Sequence, residues 1–235
     1  MRPFHPQLIL TALSKTLPYL WVTIAVMIAT VVIGSLIGLL LTRANIRRRL
    51  IGRSIAQIYI YVTRCIPSIV LLFIVYYGLP ELLLAFGINI NNASRAVFVI
   101  TTFSILFSAN MAEVFRSAYE AIDPGQREAA LCAGLSEWQT FHRILLPQCT
   151  VIALPNFTNA LVNLMKEGSL AYTIGLLDIM GKGQVMIGQN NGSFALETYL
   201  ALAIVYWCMT LLIEKLFGAL EKHLTRGQKI LSDAP

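Results

Sequence analysis

Charge is scarce in this 235-residue chain. Only 13% of its residues are charged and 57% are hydrophobic, whereas a soluble domain averages about 25% charged residues. That imbalance excludes an ordinary soluble domain and points to an integral membrane protein. The usual sites of enzymatic chemistry are missing as well. There is no G-x-x-x-x-G-K-[ST] run, and Gly181-Lys182-Gly183 is only part of a glycine-rich stretch, so that route to cradling nucleotide phosphates is closed. Neither H-E-x-x-H nor G-x-S-x-G occurs. Gly168-Ser169 follows an ionisable pair, but its apolar run holds no histidine to activate the serine. No catalytic residue, bound cofactor or metal site is therefore expected. The four cysteines, Cys65, Cys132, Cys149 and Cys208, fit no metal-ligand spacing, and none falls in a segment expected outside, so no structural disulfide is expected. His5, His142 and His223 are scattered and read as interfacial or loop residues. The net charge of +6 comes without a basic face interleaved with aromatics, so nucleic acid is not an expected partner. The first apolar run is too long for a signal-peptide core and ends in arginines, so it does not read as a cleavable signal.

What the chain does have is long apolar runs. Leu17 to Thr42 carries no charged side chain, and about 20 apolar residues suffice to cross a bilayer. Five spans are expected, at about 17–42, 55–79, 96–119, 149–177 and 198–220, in a single transmembrane domain covering residues 1–235. Before the first span, Leu8, Ile9, Leu10 and Leu13 suit the membrane surface. Gly34 and Gly38 stand as G-x-x-x-G, which fits either close helix packing or a glycine-tolerant membrane helix. Pro67 removes a hydrogen bond inside the second span. The stretches 80–95 and 178–197 read as outside loops, the second rich in glycine. Arg43, Arg47, Arg48, Arg49 and Arg53 follow the first span and place that loop in the cytoplasm. Arg116, Arg127 and Arg143, then Lys215, Lys222, Arg226 and Lys229, fall on the same side. Only Arg2, Lys15, Arg95 and Lys182 fall opposite. The N-terminus is thus expected outside and the C-terminus in the cytoplasm.

Polar groups inside the apolar runs are candidates for function, because a charge at the bilayer centre costs about 2.5–3.5 kcal/mol on insertion scales. In the fourth run Asn156, Asn159, Asn163 and Glu167 recur at helical spacing, beside Lys166 and Ser169. This face suits a cavity for a polar, zwitterionic solute, with Lys166 or Arg64 meeting a carboxylate and Glu167 an ammonium. A structural alternative pairs Lys166 with Glu167 and lets Arg64 snorkel to the inner interface. Glu113 and Arg116 are expected to pair across one helical turn.

Between the third and fourth runs lies an amphipathic island. Asp123-Pro124-Gly125-Gln126 reads as a helix start with a capping box, and Ser136-Glu137-Trp138-Gln139 as another. The first helix should falter at Gly134, and Pro147 should interrupt the second. Leu131, Leu135, Trp138, Phe141 and Leu145 are expected to form one apolar stripe. The expectation is two short helices, bent at a glycine, beside the membrane.

Glu128-Ala129-Ala130, Gly134 and Ile144-Leu145-Leu146-Pro147 fit E-A-A-x3-G-x9-I-x-L-P at every fixed position. This resembles the EAA loop of ABC-importer permeases. Arg64-Cys65-Ile66-Pro67 resembles the R-G-T-P segment of the polar amino acid group, with Cys and Ile in place of Gly and Thr. Ala112-Glu113-Val114-Phe115-Arg116 resembles its A-E-x-x-R stretch. Lys166-Glu167-Gly168-Ser169-Leu170-Ala171 resembles K-D-T-S-L-A, with Glu for Asp and Gly for Thr. Together the resemblance covers roughly residues 16 to 220 and implies an all-α type I ABC importer permease of the histidine, glutamine and cystine group. It implies that residues about 123–147 couple to a cytoplasmic ABC ATPase through Glu128, Ala129, Ala130, Gly134, Ile144, Leu146 and Pro147. The substrate path is expected at Arg64, Asn159, Asn163, Lys166, Glu167 and Ser169, from their place in the apolar runs. The implied partners are an extracellular solute-binding protein, a second permease chain (the same or a similar one), an amino-acid substrate and membrane lipid. ATP would be used by the ATPase subunit. A secondary transporter or channel driven by an ion gradient would also account for the buried charges, but gives no reason for the loop; a non-transporting scaffold is a third reading.

Overall fold

The structure, a computed structural model, describes residues 4–46 and 50–232, with side chains up to residue 225. Arg2, Arg47, Arg48 and Arg49 lie outside the described residues, as do the side chains of Arg226 and Lys229. Every described element is helical. Four helices are long and apolar enough to cross a membrane, and a fifth crossing follows if one bent pair counts as a single span.

The first rod begins earlier than the apolar run suggests. Helix α1 (Gln7–Thr16) passes through one 3-10 turn, Leu17–Tyr19, into α2 (Leu20–Ile46), so that 40 residues form one helix. Its length is about 60 Å at 1.5 Å per residue, twice a hydrocarbon core of about 30 Å. The surplus, α1, is packed against the helices at the other end of the chain, and Ala12 and Thr16 are buried there.

The second span is not continuous. Helix α3 (Leu50–Cys65) and the run α4 (Ser68–Phe73), π turn Ile74–Gly78 and α5 (Leu79–Leu84) meet at 106°. The physical cause is Pro67, which sits at ψ 138° ahead of α4. Its ring also disfavours helical backbone at Ile66. The expected span at 55–79 is therefore a broken one, and part of the expected loop at 80–95 is helical.

Helix α6 (Arg95–Glu120) is the centre of the bundle, and Ser94 caps it by accepting from the Ala96 N–H at 3.3 Å. Val99, Phe103, Phe107 and Met111 on α6 are fully buried. Facing them, α2 presents Thr30, Gly34, Gly38 and Thr42. A Cβ on Gly34 would meet Phe107 at 3.0 Å, and one on Gly38 would meet the Met111 Cβ at 2.7 Å. Thr42 Oγ1 lies 2.8 Å from the Gly38 carbonyl and 3.1 Å from that of Ala112 across the interface. The G-x-x-x-G pair is thus a close-packing face, which matters because apolar burial alone gives helices little reason to associate in lipid.

After α6 come α7 (Pro124–Cys132), α8 (Glu137–Thr140), a π turn Phe141–Leu145, α9 (Leu146–Gly168) and a 3-10 turn Ser169–Ile174. Residues 137–174 form a single 38-residue rod. The stretch 178–197 is not a loop, since it contains α10 (Ile179–Gln189), which precedes α11 (Ala195–Ser232). Asp178 is buried and caps α10, accepting from the Gly181 N–H at 2.8 Å and from Thr23 Oγ1 at 3.3 Å. A Cβ on Gly181 would sit 2.1 Å from the Leu176 carbonyl, and one on Gly183 2.6 Å from Leu202 Cδ1. These glycines are there for close approach, not for loop flexibility.

Candidate functional site

The segment 123–147 is built from its caps. Asp123 accepts from the Gly125 N–H at 2.7 Å, and Pro124 opens α7. The expected capping box at Gln126 is absent: its side chain accepts instead from Gln148 Nε2 at 2.6 Å and ties α7 to the start of α9. Gly134 has φ +84°, which lets the Leu135 N–H reach the Ala130 carbonyl (3.1 Å) and its own N–H reach that of Leu131 (3.0 Å). This paired closure ends α7. Ser136 and Gln139 then form the reciprocal box that opens α8, at 2.9 and 3.2 Å. Arg127 and Glu137 form an ion pair between the two helices.

The turn at Gly134 also splits the expected apolar stripe, because a helical period does not run through a break in the helix. Leu145 is buried and Leu131 and Leu135 are half-buried, but the Trp138 side is left 68% exposed. Trp138 stacks on His142 at 4.1 Å, His142 Nδ1 lies 2.9 Å from the Trp138 carbonyl, and Phe141 is exposed beside them. Glu128, Ala129, Gly134, Leu146 and Pro147 are exposed too, whereas Ala130 is buried and Ile144 half-buried. A Cβ on Gly134 would meet nothing within 4 Å. Its constraint within the chain is backbone conformation, not a tight helix junction. Pro147 lies in the first turn of α9, and the helix is re-spaced at the π turn just before it.

The second feature is a face of α9. Leu161, Leu164 and Met165 are buried, whereas Asn156, Asn159, Asn163, Lys166 and Glu167 lie on the opposite, exposed side. None of these five side chains makes a hydrogen bond or ion pair among the described residues, so Lys166 and Glu167 do not pair with each other. Ser169 differs, because its hydroxyl donates to the Lys166 carbonyl at 2.6 Å. Three amides and two charges on a bilayer-length helix cannot be left to hydrocarbon. Water, a solute or another protein surface must meet them.

Arg64 stands apart. It lines a cleft of about 690 Å³ with Arg53, Gln57, Glu113, Arg116 and Glu120, and no polar residue of α9 lines it. Arg116 pairs with Glu113 at 2.6 Å, as expected one helical turn away, and also with Glu120. Two features were missed at the level of sequence. The stacked pair Trp138–His142 has the i, i+4 spacing of a helix face, which is a usable signal. The Asp178–Thr23 link has only the cap pattern Asp178-x-x-Gly181, obscured by the surrounding glycines.

Comparison with known proteins gives a consistent picture. Residues 31–226 match the family described as binding-protein-dependent transport system inner membrane component. The chain is 38% identical over 210 residues to the L-cystine transport system permease protein TcyL of Bacillus subtilis (strain 168), covering 89% of this chain and 87% of that one. It is 35% identical over 215 residues to the probable amino-acid permease protein YxeN of the same organism, covering 91% and 92%. Among solved structures it is similar to an amino acid ABC transporter crystallised with histidines, with a TM-score of 0.81 at 26% identity, covering 94% of this chain and 100% of the other.

Proposed function

The chain belongs to the family of binding-protein-dependent transport system inner membrane components, and on that premise we propose that it is the permease subunit of an ATP-driven importer of polar amino acids, cystine among them. The substrate class follows the names of its relatives. A separate cytoplasmic ABC ATPase supplies the energy, an extracellular solute-binding protein delivers the amino acid, and a second permease chain, identical or similar, completes the path. The N-terminus lies outside and the C-terminus in the cytoplasm.

One observation carries the reading: an unpartnered polar face and an exposed aromatic surface occupy the same 38-residue rod, 137–174. Trp138, stacked on His142, is the natural plug for a groove on the ATPase, and large exposed aromatics are typical binding anchors. Glu128, Ala129, Ala130, Gly134, Ile144, Leu146 and Pro147 form the segment that positions this plug. Asn159, Asn163, Lys166, Glu167 and Ser169 line the substrate path, with the second chain closing over them, and Arg64 serves its inner end. Movement of the ATPase at α8 reaches the polar face through continuous helix, with no loop to absorb it.

The test is uptake of labelled amino acids, L-cystine included, by cells in which the chain is deleted, restored, or restored as Gly134→Asp. The expected outcome is loss of uptake on deletion, rescue by the wild type and no rescue by Gly134→Asp. Rescue by both chains removes the docking role from Gly134. Uptake that survives inactivation of the ATPase but collapses with an ionophore replaces the reading with gradient-driven transport.

A further inference from the structure

Helix α6 runs 26 residues from Arg95 to Glu120, where α7 follows; Arg95 is therefore about 39 Å from the coupling segment, at the opposite end of the bundle. A cleft of about 630 Å³ opens there between the π turn Ile74–Gly78, the segment 80–95 and residues 175–177. One wall is aromatic and fixed. Tyr76 is held edge-on against buried Phe98 at 5.3 Å and against Tyr77 at 5.0 Å, and the Tyr77 ring is left exposed. Asn91 and Asn92 add amide groups to the lining.

The cleft also holds one charge of each sign. Arg95 and Glu81 both line it, and neither forms an ion pair or a side-chain hydrogen bond among the described residues. Gly175 makes room for the arginine. It has φ +81°, and a Cβ there would lie 3.2 Å from Arg95 Nε and 3.4 Å from its Cζ. A side chain at 175 would both strain the backbone and displace the guanidinium.

We propose that this cleft receives the zwitterionic head of an α-amino acid, with Arg95 taking the carboxylate and Glu81 the ammonium. The inference rests on the import reading above and assigns the receiving end of that path. A guanidinium matches a carboxylate with two parallel N–H donors, and charge-assisted hydrogen bonds of this kind are about twice as strong as neutral ones. Because the two charges are not paired with each other, the ligand need not break an existing ion pair to enter. The volume lies within the range of about 300–1,000 Å³ usual for small-molecule sites. Tyr77 and the two asparagines face whatever side chain the amino acid carries.

The experiment uses the assembled permease and ATPase in nanodiscs, without binding protein, and measures binding of labelled L-cystine, L-glutamine and L-arginine. At least one probe is expected to bind, and Arg95→Gln and Glu81→Gln each to weaken it about tenfold or more. Arg95→Lys, which keeps the charge, is expected to lose less, and Gly175→Ala to resemble Arg95→Gln. The carboxamide of the same probe should be insensitive to Arg95→Gln, and its N-acetyl form insensitive to Glu81→Gln. Unchanged binding in both glutamine variants overturns the proposal. In a parallel assay with the solute-binding protein added, loss of its docking in these variants with amino-acid affinity unaltered assigns the cleft to protein docking and also overturns the proposal. Wild-type uptake in cells without binding of any probe overturns the cleft alone, whereas absence of wild-type uptake for every amino acid overturns the import reading itself.

Discussion

Two glycines show how the same residue type constrains the chain in opposite ways. At Gly134 the space is open and the backbone is the constraint, with φ at +84° and nothing within 4 Å of a would-be Cβ. Gly134→Ala should therefore cost about 1–2 kcal/mol through left-handed strain alone, read as a small fall in the thermal midpoint of the purified protein. At Gly38 the backbone is ordinary helix and space is the constraint, with the Met111 Cβ 2.7 Å from the position a methyl group would take. Gly38→Leu should force α2 and α6 apart, and a much larger fall in midpoint than for Gly134→Ala checks it. Trp138 is a third case. With its ring 68% exposed, Trp138→Ala should barely move the midpoint yet sharply reduce retention of the ATPase on affinity purification. A strong loss of stability with the ATPase retained would make the ring part of the fold. The sequence revealed Gly134 as a helix end, because a glycine just before a second capping box has few other uses. It did not reveal that the reason is conformation and not crowding, since crowding depends on what lies opposite.

At the scale of elements, apolar length pointed to helices long enough to cross a membrane where the chain runs in a single piece, as in α6 and α11. It failed where backbone chemistry intervenes. Pro67 was visible, but a proline in an apolar run can either kink a helix or end it. The 106° turn between Cys65 and Ser68 belongs to the second case. Helix α10 was hidden for the opposite reason. Gly181 and Gly183 read as loop residues, yet the chain needs them because Leu176 and Leu202 press against their Cα atoms. What starts that helix is the buried Asp178 cap, which also joins α10 to Thr23 on α2. Asp178→Ala removes both links and should lower stability by about 1–2 kcal/mol, in the range of lost N-caps. Asp178→Asn keeps an acceptor for the Gly181 N–H and should lose less. Equal losses in thermal denaturation would show that the buried charge, not the cap, is what the site requires.

At the scale of the whole molecule, the arrangement is a rod of about 57 Å at 1.5 Å per residue, formed by residues 137–174. The exposed aromatic pair sits at one end and the unpartnered polar face further along. Helical spacing in the sequence placed Asn156, Asn159, Asn163 and Glu167 on one face, and the structure leaves that face outward. What the sequence could not show is that the polar face and α8 share one continuous helix, because Pro147 reads as an interruption and the chain re-spaces itself at the π turn 141–145 instead. The two ends can therefore be separated experimentally. Lys166→Ala and Glu167→Ala should change transport rate or solute preference while the assembled complex survives, since neither side chain has a partner among the described residues. Thr150→Pro should act in α9, past the π turn and before the polar face. A proline in mid-helix costs about 3 kcal/mol or more and breaks the regular ladder, while Trp138 and the α7–α8 contacts lie before it and are left in place. The expected result is an ATPase that still co-purifies and still hydrolyses ATP, with uptake reduced out of proportion to hydrolysis. If uptake and hydrolysis fall together with the ATPase still bound, force passes through α7 and α6 instead of this rod. If uptake is unaffected, continuity of the helix is not how movement at α8 reaches the polar face.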